Sequence, residues 1–338
     1  MTPAAGKDAA HEASPQFREG KFHNQVEGKR PSGWDMPKLW WRFLFGKNAY
    51  TEPPAPLKVR PLTRDQLAQA SEGTLYRLGH STILMKLNNA YWLTDPVFGK
   101  RASPFSWMGP KRFHETPIAL ADLPPLAGVI LSHDHYDHLD RETVLTLAAR
   151  TPLFITPLGV GDLLIEWGVP KEKVRQLDWW QSFETGGIKL TATPAQHFSG
   201  RSLLSGNETL WASWVIKSDR YNIFFSGDTG YFAGFKEIGQ RLGPFDVTML
   251  EAGAYDAMWE GVHMMPAHTI QAHKDLGGGW LLPIHNSTFA LAFHAWDAPM
   301  ETLTVLATKE NVRLTTPMIG QPLQLDKIEP FTPWWREQ

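Results

Sequence analysis

Ala127 Gly128 Val129 Ile130 Leu131 Ser132 His133 Asp134 His135 Tyr136 Asp137 His138 is an apolar run that passes directly into three histidines and two aspartates. The apolar half reads as a buried strand, and a strand that ends in such a loop carries its side chains beyond the sheet edge, where open α/β architectures build their sites. Imidazole nitrogen and carboxylate oxygen form a ligand set suited to Zn²⁺, and also to Mn²⁺ or Fe²⁺. Neighbours in an extended stretch point in opposite directions, so His133, His135, Asp137 and His138 cannot all converge on one ion without severe strain. Two ions are the natural solution. The plain alternative is a polar surface loop rich in histidine.

Outward from this stretch, β-branched and aromatic runs predict strands over 76–87, 90–94, 128–132, 153–156, 188–193, 210–217, 221–226, 246–251 and 280–284. Helical spacing predicts helices over 141–149, with Asp140 as N-cap, and over 159–167, 232–242, 267–276 and 300–309. Strands in close succession, then strands interleaved with helices, imply an α/β fold of two mixed sheets packed together with helices outside. Three further segments end a predicted strand with a candidate ligand: His197 after Pro194 Ala195 Gln196, Asp228 after Ser226 Gly227, and His285 after Pro283 Ile284. Singly, each also reads as a core or capping histidine or a turn aspartate. Together with the first motif they make seven ligands, too many for one tetrahedral site.

The 338 residues suffice for one large domain with an appended segment. Residues 1–70 are rich in Pro, Gly and charge without a sustained period, so they are expected to form a partly irregular arm around a main domain at 71–338. With 33 basic against 35 acidic residues the net charge is -2, which gives no global footprint for nucleic-acid binding. The absence of cysteine excludes disulfides, cysteine-held zinc and a thiol nucleophile. The first twenty residues lack the apolar core of a secretory signal, and no run reaches the roughly 18 apolar residues of a spanning helix, so a cytoplasmic protein is expected. One island, Leu39 Trp40 Trp41 Arg42 Phe43 Leu44 Phe45, is flanked by Lys38 and Lys47. It is expected to meet a lipid surface or the hydrophobic mouth of the site; the alternative is a staple that packs the arm on the main domain.

The His-x-His-x-Asp-His pattern of His133 to His138, with His197, Asp228 and His285 in order behind it, resembles the metallo-β-lactamase superfamily. That resemblance implies an αββα sandwich in which His133, His135 and His197 hold one ion and Asp137, His138 and His285 the other, while Asp228 bridges them with a hydroxide. Asp95, in Thr94 Asp95 Pro96, matches an acidic position that supports the ligands; it also reads as a simple turn residue before Pro96. From about residue 75 to 300 the stretches Gly79 His80 Ser81 Thr82, Thr94 Asp95 Pro96 Val97 Phe98, Arg101 Ala102 Ser103 Pro104, Gly109 Pro110 Lys111 Arg112, Leu177 Asp178 Trp179 Trp180 and Gly253 Ala254 Tyr255 are similar to the N-acyl-phosphatidylethanolamine-hydrolysing phospholipase D family and its bacterial relatives. The chain departs from that pattern at Asn286 and Ser287, where the family has Trp and Gly.

The resemblance implies a metal-dependent hydrolase with two Zn²⁺ per chain, Mn²⁺ or Fe²⁺ being the alternatives, acting on a small-molecule or lipid phosphodiester. Asp137, Asp228 and His263 are its catalytic candidates, His263 falling where the phospholipase family has a histidine near the scissile group. His80, His268, His273 and His294 read as structural or surface residues. Fold and metals do not specify substrate, so a lactonase is the alternative. A noncatalytic metal-binding or membrane-associated protein is the reading from another class.

Overall fold

The computed structural model describes residues 7–26, 28, 37, 41–42, 50–202 and 205–338. The chain opens with α1 (Lys7–Glu12) and a two-stranded hairpin, β1 (Phe17–Arg18) and β2 (Lys21–Phe22), followed by α2 (Arg64–Ala68). Thr63 and Gln66 close α2 with a reciprocal capping box, side chain to backbone in both directions. Leu62 and Leu67 turn this stretch inward as part of a buried cluster.

The first sheet is built from β3 (Thr74–Gly79), β4 (Thr82–Leu87), β5 (Ala90–Thr94), β6 (Leu126–Ile130), β7 (Phe154–Pro157) and β8 (Val174–Leu177), with α3 (Arg141–Ala148) and α4 (Val160–Glu166) between the later strands. The second contains β9 (Ser182–Thr185), β10 (Ile188–Thr193), β11 (Ser213–Lys217), β12 (Asn222–Phe225), β13 (Phe245–Glu251) and β14 (Gly278–Ile284). Helices α5 (Gly234–Leu242), α6 (Pro266–Asp275) and α7 (Ala298–Lys309) accompany it, and β15 (Pro322–Gln324) returns to pair with β3. The strand orders are β15-β3-β4-β5-β6-β7-β8 and β14-β13-β12-β11-β10-β9. Each sheet is antiparallel at one end and parallel at the other, as the α/β expectation of two mixed sheets requires.

Alternation along the strands sets the layers. Ile83, Met85 and Leu87 of β4 enter the cluster between the sheets, with Ile223 and Phe225 of β12, whereas Leu84 packs outward with Val144, Leu147 and Leu164. Phe224 of β12 packs outward with Phe235, Ile270 and Leu303 of the second helical layer. A strand buried on both faces needs apolar side chains of both parities, and these strands supply them.

The predicted strand over 76–87 is two strands, β3 and β4, because His80 turns the chain with φ 49°. Leu131 and Ser132, expected inside the strand, lie just past the end of β6, where they begin the loop that carries the ligand candidates His133 to His138. Strands β8, β9 and β15 and helix α2 were not expected; they are short, and their pattern is too brief for a periodicity argument. Among the described residues, no helix is long and apolar enough to cross a membrane. Of the island Leu39 to Phe45 only Trp41 and Arg42 lie within the described residues. Trp41 is exposed, while Arg42 pairs with Asp256 at 3.0 Å and stacks over Phe293 at 4.1 Å, so this cation is held on the loop that leads to His263.

Candidate metal centre

The seven ligand candidates come together at one end of the sandwich, at strand ends and the loops that follow them. His133, His135, His197 and Asp228 form one group and His80, Asp137, His138 and His285 another, with one ligand atom of each residue within 4.8 Å of the others in its group. Asp228 reaches both: Oδ2 lies 3.8 Å from His133 Nε2, 3.8 Å from His197 Nε2 and 3.0 Å from His285 Nε2, and Oδ1 lies 3.1 Å from His138 Nε2.

The imidazoles are aimed by their outer nitrogens. His197 Nδ1 meets the Val262 carbonyl at 2.9 Å, so this nitrogen carries the proton and Nε2 presents a lone pair. His138 Nδ1 lies 2.7 Å from Asp95 Oδ2, and Asp95 also accepts from the amide and hydroxyl of Ser132 at 2.7 and 2.6 Å. His133 Nδ1 sits 2.9 Å from that hydroxyl. His133 Nε2, His135 Nδ1 and His197 Nε2 then converge at 2.8 and 3.3 Å. Burial holds the pKa values of His133 and His197 well below the ordinary histidine range, so their rings are neutral bases.

Convergent lone pairs repel one another unless a cation lies between them. Buried His138 Nε2 and Asp228 Oδ1 point the same way: neither has a well-directed hydrogen-bond partner although they are 3.1 Å apart. This donor set therefore fits a divalent metal in each group, with nitrogen and oxygen ligands of the kind zinc, manganese or iron accept.

Backbone geometry around the centre is tight. Asp95 (φ 34°), His80 (49°), Ala254 (56°), His285 (59°) and Ser287 (57°) occupy left-handed conformations that non-glycine residues avoid, a concentration typical of functional sites. Gly253 leaves no room for a Cβ against the His285 carbonyl. Asn286, where the chain departs from the phospholipase pattern, accepts from buried Arg77 through both its carbonyl and its side-chain oxygen, the latter at 2.9 Å, and so fixes the turn after His285.

Several participants escape sequence reasoning. His80, which reads as structural, is almost wholly buried, with Nε2 2.9 Å from Asp137 Oδ2; burial, then His285, pushes its pKa down to about 3. Glu251 ends β13 in the manner of the other strand-end candidates, a signal that could have found it. Its Oε2 lies 2.8 Å from His263 Nδ1, and burial, then Asp228, pushes its pKa well above the usual carboxylate range. Nothing local marks Asn24, 173 positions before His197, yet its amide donates to the His197 carbonyl at 2.8 Å and accepts from the His197 amide at 3.0 Å. His263 and Glu251 form a third such group with Asp228 and His285, and the His263 ring lies 5.1 Å from that of His197 and 5.4 Å from that of His285. His268 and His294 lie outside the groups, stacked on Tyr231 and Tyr255, and His273 bonds to Thr248.

Residues 91–286 match the model of the beta-lactamase superfamily domain. An uncharacterized protein of Mycobacterium tuberculosis is 41% identical over 99% of this chain and 92% of its own length. The N-acyl-phosphatidylethanolamine-hydrolyzing phospholipase D 1 of Caenorhabditis elegans is 35% identical over 70% of this chain and 69% of its own. Among solved structures, an isothiocyanate hydrolase from Delia radicum gut bacteria superposes with a TM-score of 0.58 at 18% identity, over 74% of this chain and 98% of that one, a likeness of fold. With the sandwich, the strand-end ligand candidates and these relatives together, the chain belongs to the metallo-β-lactamase superfamily of metal-dependent hydrolases and is related to its N-acyl-phosphatidylethanolamine-hydrolysing phospholipase D members.

Proposed function

We propose that the chain, an arm at residues 1–70 and a hydrolase domain at 71–338, hydrolyses phosphodiesters in the manner of a phospholipase D, with N-acyl-phosphatidylethanolamine or a related lipid as substrate and two Zn²⁺ as its ions. The observation that carries this reading is the shared reach of Asp228 into two adjoining ligand groups, with His263 beside both. Two bound ions would make a water acidic enough to attack at neutral pH and neutralise charge on the phosphoryl oxygens. His133, His135 and His197 would hold one ion, Asp137, His138 and His285 the other, with Asp228 between them and His80 bracing Asp137.

The chain's own residues supply the rest. Water adds to phosphorus, the bond from phosphorus to the head-group oxygen breaks, and the departing alkoxide needs a proton. His263 is placed to give it: burial raises the pKa of Glu251 and keeps it protonated, so it donates to Nδ1 and the ring's own proton sits on Nε2. Asp95 holds His138 in the tautomer that presents Nε2 to the centre. The likeness to the nematode phospholipase supports the lipid substrate.

The test is a screen of metal-loaded protein against N-acyl-phosphatidylethanolamine vesicles, soluble phosphodiesters and lactones. Release of the N-acylethanolamine together with phosphatidate is the expected result. Turnover of lactones with phosphodiesters untouched would replace this reading with a lactonase, and two bound ions with no turnover of any class would favour a binding protein.

A further inference from the structure

Residues 100–112, Lys100 Arg101 Ala102 Ser103 Pro104 Phe105 Ser106 Trp107 Met108 Gly109 Pro110 Lys111 Arg112, hold four cations and no acid in a chain whose net charge is -2. Phe105, Trp107 and Met108 are 46%, 72% and 48% exposed. These are three of the seven large apolar side chains that stand exposed among the described residues, within four positions of one another.

The segment is built to hold them there. Arg101 and Lys111 pair as an antiparallel bridge, the Ala102 amide donates to Pro110 at 3.1 Å, and the Arg112 amide donates to Lys100 at 2.9 Å. The guanidinium of Arg101 closes on the Gly109 carbonyl, and the Phe105 amide donates to Ser103 Oγ at 3.1 Å. Gly109, at φ +99°, lets the return strand pass Ser103 where a Cβ would lie 2.6 Å from that side chain. The rings of Phe105 and Trp107 sit 5.6 Å apart at the tip. An ordered hairpin that keeps two aromatic rings and a thioether in water, with exposed Lys100 and Lys111 at its stem, matches what an anionic lipid interface takes up.

Its base abuts the metal centre. The Phe98 and Gly99 amides donate to Asp140 Oδ2 at 3.3 and 2.9 Å, two residues beyond His138. Arg112 donates to the Val97 carbonyl at 2.6 Å and lies over the Phe289 ring, which in turn packs 5.3 Å from His80.

We propose that this hairpin docks the chain on a bilayer carrying anionic headgroups, Phe105, Trp107 and Met108 entering the interface while Lys100 and Lys111 meet the charge. The docking stands on surface and charge alone and goes beyond the proposed hydrolysis, so it is tested without turnover.

Full-length protein is sedimented with vesicles of phosphatidylcholine alone and of phosphatidylcholine with phosphatidylglycerol, at low and high salt. The native chain should bind the anionic vesicles and be released by salt. The triple variant Phe105→Ser, Trp107→Ser, Met108→Ser should bind them roughly tenfold or more weakly at unchanged melting temperature, because the tip contributes nothing to the core. Lys100→Glu with Lys111→Glu should lose binding to the anionic vesicles. Failure of the native chain to bind, or equal binding by the triple variant, overturns the proposal. So does a triple variant that keeps vesicle binding but loses a self-association seen by sedimentation velocity, which would assign the tip to a second copy of this chain.

Discussion

The two halves of the centre are braced by opposite means. His133 and His197 lean on uncharged partners: the Ser132 hydroxyl, the Val262 carbonyl and, through the backbone of His197, the side-chain amide of Asn24. His138, in the other half, has the carboxylate of Asp95 directly behind it, and His80 and His285 crowd Asp137 at 2.9 and 3.2 Å. His80 turns β3 into β4, Asp95 follows β5, and His285 follows β14, so this half is set by the ends of sheet strands. Both halves take residues from the 133–138 loop, and the histidine half adds His197, whose backbone Asn24 holds from far away in the chain. Carboxylate support therefore stands directly behind a histidine of one half only, and a disturbance at Asn24 should reach the other.

Removing what the halves share should break the comparison outright. Asp228→Asn keeps the volume and loses the charge that both groups meet, and turnover of metal-loaded protein should fall about 10³-fold at unchanged circular dichroism. Activity near the native level would show that the halves work without this residue.

His263→Ala comes next. Hydrolysis of an alkyl diester should drop roughly 10²-fold, and that of a nitrophenyl diester much less, since only the alkoxide needs a proton as it leaves. Metal content should hold; an ion lost with the side chain would make His263 a ligand.

The smaller effects sharpen the contrast. Asp95→Asn should weaken one of two metal-binding steps by about 10–100-fold, the usual loss when the support of a ligand histidine is cut. Chelator competition on cobalt-loaded protein reads both steps. Asn24→Ala should weaken the other step, by about tenfold or less, with Asn24→Asp intermediate because Asp still accepts from His197 but no longer donates to it. Both variants weakening the same step would mean that the two halves are one cooperative site.

Much of this candidate site was legible because its residues lie in short local patterns. Residues 133–138 follow a strand whose apolar run is plain, and His197, Asp228 and His285 each sit just past a strand, so strand-end position and residue type were enough to pick out residues that the fold brings together. The same reasoning was available for Glu251 and would have found it. His80 was hidden because a single histidine between two apolar stretches looks like one long strand; only the turn at φ 49° carries it to Asp137.

What the sequence determined by itself is the class of fold and the chemical kind of side chain gathered at the candidate site, because strand periodicity and donor type are properties of a few consecutive residues. What only the tertiary structure decided is which atoms face which: that Asp228 stands between two groups, that Glu251 holds His263, that Asn24 clasps His197, and that Phe105, Trp107 and Met108 stand together in solvent. The first three relations join residues from 12 to 173 positions apart and the fourth is a matter of exposure; all arise from how two sheets pack and where their connections return, which no local spacing encodes.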